Sequence, residues 1–85
     1  MLKIATSKAA TKGLTAMPPR PRAALRQKLD TFAADPQGAH PWAKPLVGRR
    51  AVRIRQGDWR ALCEIDHERQ TLVVVAVEHR REVYR

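Results

Sequence analysis

Between Arg50 and Asp66 apolar and polar residues largely alternate, and the pair Gly57-Asp58 divides the run in two. A period of two over six to eight residues belongs to a strand with one covered face. A Gly-Asp pair between two such runs reads as a two-residue hairpin turn. That turn fixes every partner: Gln56 faces Trp59, Arg55 faces Arg60, Ile54 faces Ala61, Arg53 faces Leu62 and Val52 faces Cys63. Facing residues of an antiparallel pair project to the same side. Val52, Ile54, Ala61, Cys63 and Ile65 therefore make an apolar side, and Arg53, Arg55, Arg60, Leu62 and Glu64 make the other.

The remaining elements follow from period and punctuation. The run Thr71 to Val77 is apolar on both faces, which predicts a strand flanked by neighbours within the sheet. Near the start, "LKIA" reads as a short strand with Leu2 and Ile4 on one side. Ser7 or Thr6 can cap a helix reaching about Ala16, whose Ala10, Leu14 and Met17 share one side. "MPPRPR" breaks that helix, and Pro21 suits the first turn of a second, where its missing N–H has no intrahelical partner to lose. Leu25, Leu29 and Phe32 line this second helix until Asp35-Pro36 ends it. Asp35 to Gly48 reads as a connecting loop pinned by the packing of Trp42 and Leu46. The expectation is one α+β domain over residues 1–85, ordered β-α-α-β-β-β, with a helical hairpin packed on an antiparallel sheet.

Seventeen Lys and Arg against eight Asp and Glu give 85 residues a formal charge of +9. This imbalance favours nucleic acid, an acidic protein or an anionic surface as partner. A membrane is disfavoured, because Leu72 to Val77 is too short to cross a bilayer and the N-terminal segment offers no signal-peptide core. Cys63 stands alone, so no intrachain disulfide forms, and a cytoplasmic location is expected. His40, His67 and His79 lack the spacing of a zinc site, and neither metal nor cofactor is expected. Cys63 reads as a small buried apolar residue.

Arg55 opposite Arg60 is the oddity, since like charges directly across a ladder destabilise by up to about 1 kcal/mol. One reading is a solvated basic face, with Glu64 partly compensating Arg53. The other is a grip for a polyanion, because guanidinium forks bind phosphate oxygens in pairs and a phosphate cancels the repulsion. The ending "EHRREVYR" bears on the choice, since it emerges from the third strand near the hairpin arginines. His79, Arg80, Arg81 and Tyr84 there supply an imidazole, two guanidiniums and a phenol. Beside a phosphate these groups can cleave RNA without metal: a base takes the 2′-OH proton, arginines hold the developing charge and an acid protonates the 5′-oxygen. His79 is the one such side chain whose unperturbed pKa is near neutrality. The alternative is that His79 and Tyr84 cap and pack the end of the sheet.

"KPLVGRRAVRIRQGDWRALCEID" followed by "VVVAVEHRREVYR" resembles the RelE/ParE superfamily of type II toxin–antitoxin toxins, and looks nearer its RelE branch. The resemblance covers essentially the whole chain, including the helical hairpin ending in "ADP". It implies the small RelE-like fold and a cofactor-free endoribonuclease that cleaves mRNA in the ribosomal A site. On this resemblance Arg60, His79, Arg80 and Tyr84 are the catalytic positions, and Arg53, Arg55 and Arg81 contact RNA. A cognate antitoxin is the implied protein partner, and operator DNA is met only through the antitoxin complex. Two departures stand out: arginines where ribosome-dependent members often carry lysines, and His79 where a lysine is common. Arginine stays protonated and is a poor base, so the base rests on His79. The alternatives are a ParE-like inhibitor of DNA gyrase and a non-catalytic binding module on the same fold.

Overall fold

The computed structural model describes residues 1–46 and 50–80. Its elements are β1 (Lys3–Thr6), α1 (Lys8–Ala16), α2 (Pro19–Ala34), β2 (Ala43–Pro45), β3 (Ala51–Gln56), β4 (Trp59–Asp66) and β5 (Thr71–His79). The strands form one five-stranded sheet in the order β1-β5-β4-β3-β2. β2 to β5 pair antiparallel, and β1 joins β5 in parallel, so the sheet is mixed rather than wholly antiparallel. The parallel edge follows from connectivity. The helical hairpin between β1 and the later strands is long enough to carry the chain back to the same end of the sheet.

Each helix begins and ends for a local reason. Ser7 caps α1, its hydroxyl accepting from the Ala10 amide at 3.0 Å and satisfying one of the donors that a first turn leaves free. Pro18-Pro19 stops α1, and Pro19 opens α2 where a missing N–H costs nothing. Arg22 of α2 reaches back to donate to the Met17 carbonyl at 2.7 Å, so the second helix caps the first.

Leu25, Leu29 and Phe32 on α2, with Ala10 on α1 and Met17 at its C-cap, are buried as the periodicity predicts. They meet Val52, Ile54, Ala61, Cys63, Leu72, Val74 and Val77 from one face of the sheet, and Trp42, Trp59, Leu14 and Ile65 pack around that core. Ile4 is the exception: it lies on the edge strand and stays exposed. α1 lies across β5 and α2 across β3. Among the described residues no helix is long and apolar enough to cross a membrane.

The β3–β4 register matches the hairpin reading at every predicted pair. Gly57 takes φ +58 while no positive φ occurs at Asp58. A positive φ at the first central position alone is the pattern of a type II′ turn.

The β4–β5 register holds a feature that alternation does not announce. Leu62 pairs with Ala76 but Cys63 pairs with Val74, so Val75 is an extra residue in β5. The bulge is fastened from outside the sheet: the Ser7 hydroxyl donates to the Val75 carbonyl at 2.5 Å, and the Ser7 amide donates to the Val74 carbonyl at 3.0 Å. An extra residue inverts which side chains face which way beyond it. Leu72 and Val74 face the helices before the bulge and Val77 after it, while Ala76 and Glu78 take the open side.

Two predictions come from this packing. A Cβ at Gly13 would overlap the carbonyl oxygen and Cβ of Val77, backbone that cannot swing away. Gly13→Ala should therefore lower the unfolding free energy by at least about 1 kcal/mol, despite alanine's better helix propensity, as a urea titration measures. Burial pushes the Cys63 thiol from 9.0 up to about 12. A group raised on folding stabilises fully below its unfolded value and loses that contribution as pH climbs toward the folded one. Stability should fall between pH 9 and about 12 more steeply in the wild type than in Cys63→Ala, read as the difference between their urea midpoints across that window.

Candidate functional site

The face of the sheet away from the helices is built from rows of paired residues. One row runs Arg55 (β3), Arg60 (β4), Glu78 (β5). The next runs Lys44 (β2), Arg53 (β3), Leu62 (β4), Ala76 (β5). Neighbouring strands lie about 5 Å apart and neighbouring rows about 7 Å apart, so four cationic groups converge on one patch at the hairpin end. Arg55 is exposed, while Arg53 and Arg60 are half-buried, their stems lying along Leu62 and Ala76. A small cleft of about 80 Å³ opens there, lined by Arg53, Arg60, Leu62, Ala76 and Glu78.

The guanidinium of Arg60 is held at the turn, donating through Nη1 to the Gly57 carbonyl at 2.8 Å and its neighbour's at Trp59 at 3.0 Å. Arg80 is tied to the same turn. Its amide donates to the Asp58 carbonyl at 2.6 Å, and its Nη1 lies 4.0 Å from the Asp58 carboxylate. Both groups of that ion pair are mostly exposed, so the pair positions Arg80 more than it stabilises the fold. The Gly57-Asp58 turn therefore gathers Arg60 and Arg80 at one end of the sheet.

Lys28 of α2 joins the rim of this patch. Its Nζ donates to the Arg55 carbonyl at 2.9 Å and lies 5.8 Å from the Trp42 ring centroid. Burial, and secondarily the Arg55 charge, lower its pKa. A cation held beside another cation is a second sign that this end of the molecule is short of negative charge.

The sequence-predicted residues divide as follows. Arg53, Arg55 and Arg60 share the open face, and Arg80 sits at its end. His79 pairs with Trp59 in the ladder and so projects to the helix side, opposite to Arg60 and Glu78. Its ring meets the Trp59 ring edge-on, with centroids 5.0 Å apart at 85°. The bulge at Val75 puts it there. Arg81 and Tyr84 lie outside the described residues. Glu64 faces Ala51 rather than an arginine, so it does not compensate Arg53; the carboxylate in register with the arginines is Glu78. Lys44, Lys28 and Glu78 escape a reading of the sequence. Lys44 sits in a three-residue strand hidden among prolines, Lys28 arrives from a helix, and Glu78 depends on the bulge.

A larger cleft, about 640 Å³, lies at the other ends of β3 and β4, between Phe32, Pro36, His40, Val52 and Ile65. It is apolar and holds none of the arginines of the patch, so cavity size does not locate the chemistry here. Among the described residues no group of three or more His, Cys, Asp or Glu is placed to hold a metal ion.

The sequence matches the profile of the ParE toxin of the type II toxin–antitoxin system parDE over residues 4–84. The chain belongs to the ParE toxin family. Within the wider RelE/ParE superfamily it is a RelE-like type II toxin by fold. A chain of the RelBE2 toxin–antitoxin complex from Mycobacterium tuberculosis is 28% identical, with a TM-score of 0.74 over 93% of this chain and 98% of that one. A metal-bound toxin from Helicobacter pylori is 24% identical, with a TM-score of 0.71 over 98% of this chain and 99% of that one. The isolated RelE toxin of E. coli shares 19% identity and a TM-score of 0.79 over 99% of this chain and 92% of that one; at this identity the likeness is one of fold. No curated protein matches the chain. The residues suggest the RelE branch, the matching profile is ParE's, and the superfamily is common to both.

Arg55 carries a prediction of its own. Because it faces Arg60 across the ladder, Arg55→Gln should raise stability by up to about 1 kcal/mol at low salt. The same change should weaken the hold of this face on any polyanion and make the salt dependence of log K shallower. Paired urea and salt titrations check both signs.

Proposed function

We propose that this toxin is an mRNA endoribonuclease that halts translation and is neutralised by a cognate antitoxin. The observation that supports the reading most is the convergence of Lys44, Arg53, Arg55 and Arg60 on one open sheet face, with Arg80 fixed beside them by Asp58. Arg53 and Arg55 hold phosphates flanking the scissile bond. Arg60, with its guanidinium preset at the turn, stabilises the charge that develops on the phosphate oxygens, as a donor fixed in advance does most effectively. Arg80 closes the end of the groove. Arg81 and Tyr84 enter on the family resemblance, Arg81 as a further phosphate contact and Tyr84 as a base-stacking group. The ribosomal A site is the setting in which the resemblance places the mRNA.

The antitoxin follows from the same charge. A face with four converging cations meets an acidic segment as readily as it meets RNA, and the RelBE2 chain it resembles was solved as a toxin–antitoxin complex. Operator DNA is contacted through that complex, and the work is done in the cytoplasm without a metal or cofactor.

A second reading has one specific observation behind it: the matching profile is that of ParE. In that reading the basic face binds a gyrase–DNA complex and no RNA chemistry takes place. Induction of the toxin without a partner separates the two. Cuts in mRNA at codon-phased positions support the ribonuclease; gyrase-dependent DNA breaks with intact mRNA support the alternative. Under the first, Arg60→Ala should abolish toxicity while leaving the unfolding free energy within about 1 kcal/mol of wild type, since among the described residues the side chain bonds to turn carbonyls alone. Full toxicity in a folded Arg60→Ala protein overturns the assignment.

A further inference from the structure

The arginine face has donors and positive charge in excess, but cleavage by the 2′-oxygen also needs a proton acceptor. Guanidinium groups do not serve, because they remain protonated. His79 is turned to the far side of β5, against Trp59. Asp58 stands in the turn and faces Arg80. Among the described residues one carboxylate stands in the register of the arginines, that of Glu78, directly across the ladder from Arg60.

Three features mark Glu78 as more than a neutralising surface charge. It lines the small cleft together with Arg53 and Arg60. It is exposed, and among the described residues it makes no hydrogen bond or ion pair, while Arg60 spends its Nη1 on the turn carbonyls instead. A carboxylate beside a guanidinium usually closes a bidentate pair; here the two line a gap of about 80 Å³, space for about two or three waters. Finally, Glu78 owes its side of the sheet to the bulge that Ser7 fastens.

We propose that Glu78 is the general base of this toxin, accepting the 2′-OH proton of an RNA whose scissile phosphate is held by Arg53 and Arg60. The inference rests on the ribonuclease reading. As the proton passes to the Glu78 carboxylate, the 2′-oxygen bonds to phosphorus and the bond from phosphorus to the 5′-oxygen breaks. The electron pair leaves with the 5′-oxygen, which takes a proton from water. The products are a 2′,3′-cyclic phosphate and a 5′-hydroxyl, and Glu78 returns its proton to solvent. Among the described residues the charged groups on its side are Arg60 from β4, Arg53 and Arg55 from β3 and Lys44 from β2, with Arg80 two residues further along the chain. β1 ends opposite Val74 and contributes none. All of these are cationic groups, which leaves the carboxylate as the proton acceptor among them.

The experiment measures single-turnover cleavage of mRNA on programmed ribosomes by the full-length toxin, across pH, for wild type, E78Q, E78D and H79A. E78Q should lose about 10²- to 10⁴-fold in rate with RNA binding unchanged or tighter, and its residual rate should depend less on pH than the wild type's. E78D should recover at least tenfold over E78Q, and H79A should lose at least tenfold less than E78Q does. An E78Q protein that cleaves within threefold of wild type, or faster, overturns the role of Glu78 while leaving the ribonuclease reading intact. A loss in H79A that matches E78Q in depth and pH shape also overturns it. A wild type that cleaves no RNA but traps gyrase on DNA overturns both readings together.

Discussion

Ser7 holds the extra residue of β5 in place, and the chemistry of the opposite face depends on that clamp. One hydroxyl caps α1 through the Ala10 amide and binds the Val75 carbonyl, while the backbone amide of the same residue binds the Val74 carbonyl. A bulge leaves a backbone group without a ladder partner and needs such an outside bond to persist. Because side chains alternate with a period of two, the extra residue exchanges the two sides of everything after it. Val77 meets the helices, Glu78 meets Arg60 and His79 meets Trp59. In an unbroken strand Glu78 would face the helices, an uncompensated charge against the core, and His79 would stand among the arginines.

This explains why the sequence reveals one hairpin completely and the other only in part. Two residues separate β3 from β4, and a turn that short leaves no freedom of register, so all five predicted pairs from Gln56–Trp59 to Val52–Cys63 are present. The four-residue connection before β5 is looser, and "TLVVVAV" is apolar throughout, so no polar residue betrays a change of side. Alternation therefore carries the reading as far as Val74 and no further, and the place of His79 at the end of the strand, near the hairpin arginines, does not tell that its ring turns to Trp59. The same limit hid β2: three residues containing a proline give no periodic signal, and Lys44 becomes visible as part of the basic face only through its pairing with Arg53. The helices were legible because Leu25, Leu29 and Phe32 on one, and Ala10 on the other with Met17 at its C-cap, each mark one buried stripe.

A formal charge of +9 on 85 residues is a cost that the fold concentrates rather than spreads. Arg55 opposes Arg60, Lys44 opposes Arg53, and Lys28 is held against the Arg55 carbonyl with its pKa lowered by burial and by that arginine. Each arrangement is less favourable empty than occupied, so any polyanion that fills the face stabilises the folded chain in proportion to its affinity. RNA and an acidic antitoxin segment meet the same requirement. On the proposed function, the two would compete for this face through charge, without a conformational signal between separate sites.

Electrostatic grip by itself does not distinguish an enzyme from a blocker. Arg53, Arg55 and Arg60 would hold RNA, the phosphates of DNA in a gyrase complex, or an acidic peptide with little preference, which is consistent with a ParE profile and RelE-like structures meeting in one chain. What separates these outcomes physically is whether a proton acceptor stands within reach of a 2′-hydroxyl while the phosphate is held. Guanidiniums cannot supply it, and an imidazole on the wrong side of a strand cannot reach it. On this scaffold the distinction comes down to one residue of register: the bulge that turns His79 toward Trp59 is the same displacement that brings the Glu78 carboxylate into the row of Arg55 and Arg60.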